Sequence, residues 1–143
     1  MPAIHFTVRG VPDAFRERAR LRRWLHEVAR DHGRTIVDLG YVLLTEEEML
    51  RCNRAYLGHD DHTDVITFPL EDGPEVQGEV LLGHARIKEN AAIYKVAMQQ
   101  ELRRVMVHGL LHLLGHADKT PAQRTAMRAL EDKYLARWAR ISA

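Results

Sequence analysis

His108 and His112 stand four residues apart inside the run Val105-Met-Val-His-Gly-Leu-Leu-His-Leu-Leu114, which is otherwise almost wholly apolar. On a helix, positions i and i+4 share a face, so both imidazoles can reach one metal ion at about 2.0–2.1 Å. Two unpaired imidazoles in such surroundings would be costly to desolvate, and a shared metal removes that cost. Gly115 can end the helix in a left-handed turn and swing the chain back toward the same face, where Asp118 completes the H-x3-H-x2-G-x2-H/D frame of extended zinc-protease sites. His116 offers a competing imidazole two residues earlier; the frame favours Asp118. Two histidines and one carboxylate suit zinc, and also Fe(II). Three protein ligands leave a fourth position for water, which suits hydrolysis. Those proteases carry a glutamate base right after the first histidine, but the residue here is Gly109, so peptide hydrolysis lacks its base. A missing side chain beside the metal would instead admit a phosphodiester.

The elements that must position these residues can be read from periodicity. Ile4, Phe6 and Val8 alternate with His5, Thr7 and Arg9, a half-buried strand over Ala3 to Val8. A helix is predicted from Ala14 to about His32, with Asp13 as N-cap and Gly33 as its stop. A second strand runs from Ile36 to Leu44, and Thr45 with Glu48 forms a capping box that opens a helix to about Tyr56. After a loop, Val65 to Phe68 and Glu79 to Leu82 read as two strands that pair across an acidic turn. Helices follow over Arg86 to Lys95 and Gln99 to Leu114. The last begins at Thr120-Pro-Ala-Gln123, which combines an N-cap, a first-turn proline and a capping-box glutamine, and reaches about Arg140. The result is one α/β (α+β) domain over residues 1–143, with about four strands in a sheet packed with about five helices.

Composition narrows the classes. A length of 143 residues suits one core. No stretch approaches the roughly 20 apolar residues of a membrane span, and no signal segment is evident, so a cytoplasmic protein without a membrane partner is expected. Cys52 is the only cysteine, which rules out a multi-thiolate zinc site. The net charge of +1 announces no nucleic-acid binder, yet Arg16, Arg18, Arg20, Arg22 and Arg23 are clustered. They read either as phosphate contacts or as a solvated helix face.

The stretch from His108 to Gly115, H-G-L-L-H-L-L-G, resembles the signature of the YbeY family of bacterial rRNA-maturation endoribonucleases. Asn53 to Tyr56, Gly58, Asp60 and Thr63 to Pro69 resemble that family's N-x-x-Y-R-x-x-D-x-x-T-D-V-L-S-F-P block, and Gly78-Glu-Val-Leu resembles its G-D-I-x stretch. The likeness runs from about Val37 to Leu135. It implies an α/β fold, one Zn2+ per chain and single-stranded RNA as substrate. It further implies maturation of the 16S rRNA 3′ end on the small ribosomal subunit, with ribosome quality control, and no DNA partner. Asp64 is implied as a substrate-orienting carboxylate. Three departures stand out: Gly115-His-Ala-Asp118 replaces G-Y-D-H, Glu79 replaces an aspartate, and Leu57 stands where the family has a phosphate-contacting arginine. Arg54, or His59 and His62 in the same loop, can substitute for that arginine. Two rival readings are a noncatalytic ribosome-assembly module with structural zinc, and a metallopeptidase.

Overall fold

The computed structural model describes residues 2–58, 63–70 and 73–142. In chain order the elements are β1 (Ile4–Val8), α1 (Arg18–Asp31), β2 (Thr35–Leu44), α2 (Glu46–Cys52), a π turn (Asn53–Leu57), β3 (Val65–Pro69), β4 (Glu75–Gly83), α3 (His84–Tyr94), α4 (Met98–Leu113) and α5 (Pro121–Trp138). The strands form one mixed sheet in the order β1-β2-β4-β3. β1 and β4 run parallel to β2, whereas β3 pairs antiparallel with β4, Ile66 opposite Leu81. This is the four-stranded, five-helix α+β domain that the periodicities predict. Among the described residues no helix is long and apolar enough to cross a membrane.

Alternation along the strands assigns the two sheet faces. Leu39, Tyr41 and Leu43 of β2 and Val80 and Leu82 of β4 join the main core with α1, α3, α4 and α5. Val42, Leu44 and Leu81 point the other way and form a smaller core with Ile66 and with Met49 of α2. α4 is the central helix: Leu102, Val105, Met106, Val107, Leu110 and Leu111 are all buried. Each such side chain contributes roughly 1.5–3 kcal/mol, so packing rather than intrinsic propensity holds this helix in place. Two buried polar ties fix its surroundings. The Tyr41 hydroxyl donates to the Met106 carbonyl at 2.9 Å, and Trp24 Nε1 donates to the Tyr134 carbonyl at 2.8 Å.

Several boundaries differ from the sequence expectation. α1 begins at Arg18, not Ala14, because Ala14 and Phe15 are buried in the core outside any helix. Asp13 therefore caps no helix; it accepts from the Phe15 amide at 2.9 Å and from Arg18 at 2.8 Å. The helix expected to reach Tyr56 is α-helical only to Cys52 and then widens into the π turn. β4 starts four residues before Glu79, at Glu75, by pairing with Thr35 and its neighbours on β2.

Three of the five clustered arginines are tied to backbone carbonyls. Arg20 donates to the Trp138 carbonyl at 2.7 Å, Arg22 to the Ile4 carbonyl at 3.1 Å and Arg23 to the Ser142 carbonyl at 3.1 Å. Their guanidinium groups clasp β1 and the segment after α5 against α1. Arg20 also lies 4.2 Å from the centre of the Trp138 ring, an attraction worth about 0.5–2 kcal/mol.

Candidate metal centre

α4 carries His108 and His112 on one face, toward the antiparallel edge of the sheet. Its end is built as a Schellman turn: the His116 amide donates to the Leu111 carbonyl and the Gly115 amide to the His112 carbonyl, both at 3.0 Å. Gly115 adopts φ 102°, a backbone conformation that disfavours other residues. The chain turns back as the spacing predicts, and the Thr120–Gln123 capping box then starts α5.

That reversal brings Asp118 Oδ2 to 3.4 Å from His108 Nε2 and 3.3 Å from His112 Nε2, while the two Nε2 atoms are 3.1 Å apart. Tetrahedral coordination at about 2.0–2.1 Å separates ligand atoms by about 3.3–3.4 Å. The three donor atoms thus already form one face of a tetrahedron of the size zinc requires, and these residues could hold a metal ion. His116 does not join them. Its Nε2 faces His32 Nε2 at 2.9 Å, and His32 Nδ1 donates to the Val28 carbonyl. Burial, with the nearby His32 and His112, lowers the His116 pKa. Asp118→Ala is therefore expected to weaken metal binding at least about 100-fold, beyond the usual cost of losing an orienting neighbour, while His116→Ala changes it severalfold at most. Competition with a calibrated chelator measures both, and the reverse ranking would move the third donor to His116.

Glu131 of α5, not anticipated from the sequence, completes the arrangement. Its Oε2 accepts from His108 Nδ1 at 2.6 Å, and its Oε1 accepts from Arg104 at 3.0 Å. A carboxylate paired to arginine is acceptor-only, so the His108 proton sits on Nδ1 and the Nε2 lone pair faces Asp118 and His112. Burial acts to lower the His108 pKa, but the Glu131 hydrogen bond and the charges of Glu131, Asp118 and Asp64 raise it overall. The available signal was positional: Glu131 interrupts the buried stripe Met127, Tyr134, Trp138 of α5.

A cleft of about 860 Å³ opens beside the three donors, bounded by Asp64, Thr67 and Pro69 along β3 and by Lys119. Asp64 thus stands at the site. Burial raises its pKa, against the smaller lowering influences of a backbone hydrogen bond, His108 and Asn90, and Asn90 Nδ2 donates to it at 3.3 Å. Arg54 is elsewhere: it is exposed on the π turn, engaged by a neighbour, and is not among the described residues lining the cleft. His59 and His62 lie outside the described residues.

Gly109 requires a correction. It does not leave room beside the metal donors; it faces the sheet, where an added Cβ would lie 2.7 Å from Val80 Cγ1 and 3.0 Å from its Cγ2. The glycine permits close approach of α4 to β4.

The sequence model of the family described as Endoribonuclease YbeY matches residues 10–139. The chain belongs to this family. A protein named Endoribonuclease YbeY from Cytophaga hutchinsonii is 40% identical over 121 residues, 84% of this chain and 85% of that protein. Its namesake from Bacteroides thetaiotaomicron is 34% identical over 134 residues, 94% and 98% of the two chains. Among solved structures, the solution structure of TM1509 from Thermotoga maritima superposes with a TM-score of 0.65 at 27% identity, covering 94% of this chain and 88% of that one. Family membership and the convergence of His108, His112 and Asp118 agree with the resemblance seen in the motifs.

Proposed function

We propose that this protein is a zinc-dependent endoribonuclease that cuts single-stranded RNA, acting in the cytoplasm on 16S rRNA of the small ribosomal subunit. The observation that carries the reading is the tetrahedral face formed by His108 Nε2, His112 Nε2 and Asp118 Oδ2 beside an open cleft. The relatives' name, endoribonuclease, supports RNA as the substrate class. A structural zinc site closes with four protein ligands; only three donors converge among the described residues, which favours catalysis over a noncatalytic assembly module. The peptidase reading loses support because Gly109, which follows the first histidine, carries no side chain to act as a general base.

Bound zinc would supply Lewis-acid chemistry, acidifying a water and stabilising charge on phosphoryl oxygens. The chain's own residues do the rest. Glu131 fixes the tautomer and orientation of His108, and Arg104 donates to the other oxygen of the buried Glu131 carboxylate. Asp64 lines the cleft beside His108, and on this reading it would accept a proton from the attacking oxygen or orient the strand. Arg54 enters only as a phosphate contact outside the cleft.

The reading is tested by incubating metal-loaded protein with an end-labelled single-stranded RNA. Wild type is expected to cut it, and Asp64→Asn to cut about 10²–10⁴-fold more slowly with metal content unchanged, the usual worth of a positioned acid or base. Intact RNA with wild type, with and without ribosomal subunits, would remove the nuclease reading. An undiminished Asp64→Asn rate would remove Asp64 from the chemistry.

A further inference from the structure

Behind His108, on the side away from Asp118, a second and smaller cavity of about 180 Å³ penetrates between α3, α4 and α5. Asp64, Val65 and His108 line both this cavity and the metal cleft, so the two spaces share a wall. Glu101 is only 4% exposed and lines the cavity, yet its carboxylate makes no hydrogen bond or ion pair among the described residues. Asn90 donates to Asp64 at one side. At the mouth, the exposed Tyr94 ring has the Arg128 guanidinium 5.9 Å from its centre. Nothing in the metal chemistry above accounts for Glu101, Tyr94 or Arg128.

The lining restricts the occupant. Arg104 and Arg128 disfavour a second metal cation, and no other group of metal donors converges among the described residues. Asp64, Glu101 and Glu131 disfavour a phosphate. A ligand without net charge, offering hydrogen-bond donors to carboxylates and a flat face to Tyr94 and Arg128, fits both constraints. A base in van der Waals contact with both Tyr94 and Arg128 needs about 7 Å between them, a small outward movement of an exposed arginine. Guanine alone among the RNA bases presents two adjacent donors, N1–H and N2–H, to a single carboxylate.

We propose that this cavity is a nucleobase pocket that takes a guanine from the RNA strand held in the adjoining cleft, with Tyr94 and Arg128 stacking on the base and Glu101 accepting from its Watson–Crick edge. The pocket rests on the nuclease reading for its strand, but its ligand can be tested without cleavage. The metal-loaded chain is given single-stranded RNA of randomised sequence, and the cut ends are sequenced. Guanine is expected to be enriched about 10- to 100-fold at one position beside the cut, the discrimination that a bidentate base contact supplies. Glu101→Gln should erase that enrichment with metal content and thermal midpoint unchanged. Cutting without guanine enrichment, or enrichment that survives Glu101→Gln, overturns the pocket. If the wild-type chain cuts nothing, the nuclease reading fails while the pocket is decided by titrating guanosine and cytidine against it. Guanosine-specific shifts of the amide signals of Asn90, Tyr94 and Glu101, lost in Glu101→Gln, uphold the pocket; equal or absent shifts overturn it.

Discussion

His112→Ala is expected to leave a folded protein that retains almost no metal and cuts no RNA. His112 is half-buried near the end of α4, where its ring meets His108 and Asp118, so truncation removes a donor without opening the core. Alanine is also the strongest helix former, which protects α4. Losing a neighbour that only orients a ligand costs about 10–100-fold in metal affinity, and losing a donor should exceed that. Metal analysis, circular dichroism and an RNA cleavage gel on identically purified wild type and variant decide the matter. Full metal retention would dismiss the site, and equal cleavage by both preparations would trace the activity to contaminating ribonuclease.

Gly109→Glu should be the most damaging single change to the fold. The Cβ alone meets Val80 at 2.7 Å, and overpacking of this kind costs about 1–3 kcal/mol before a carboxylate is forced against the sheet. Since whole-protein stability is about 5–15 kcal/mol, the variant is expected to be unfolded or aggregated. Gly109→Ala, which adds only the Cβ and gains up to about 1 kcal/mol of helix propensity, should fold with a thermal midpoint several degrees lower. A soluble Gly109→Glu protein with a wild-type midpoint would show that α4 does not lean on β4 through this residue.

The site was legible where its logic is local. The i, i+4 histidines, the Gly115 turn and the return to Asp118 all lie within eleven consecutive residues, and each step follows from helix geometry. The same is true of the Thr120 capping box and of the period-2 strands. What escaped was contact between distant segments. Glu131 reaches His108 only because α5 lies against α4, and His116 is withdrawn from the donors by His32 at the far end of α1. The role of Gly109 was misjudged for a related reason: the sequence shows its neighbours on the helix, but not Val80 across the interface. The arginines of α1 looked like a charged surface because their acceptors, the carbonyls of Ile4, Trp138 and Ser142, carry no signature in side-chain composition.

The dependence of His108 on Glu131 also bears on the order in which the protein is made. Synthesis proceeds from the N-terminus, and segments fold as they become available. A chain halted after Asp118 but before α5 would possess all three donors and yet lack the carboxylate that fixes the His108 proton on Nδ1. Its Nε2 would be free to take the proton instead, and Arg104 would lose its buried partner. On the reading proposed above, firm metal binding would wait for the final helix, and an unfinished copy would carry the three donors without the carboxylate that orients His108.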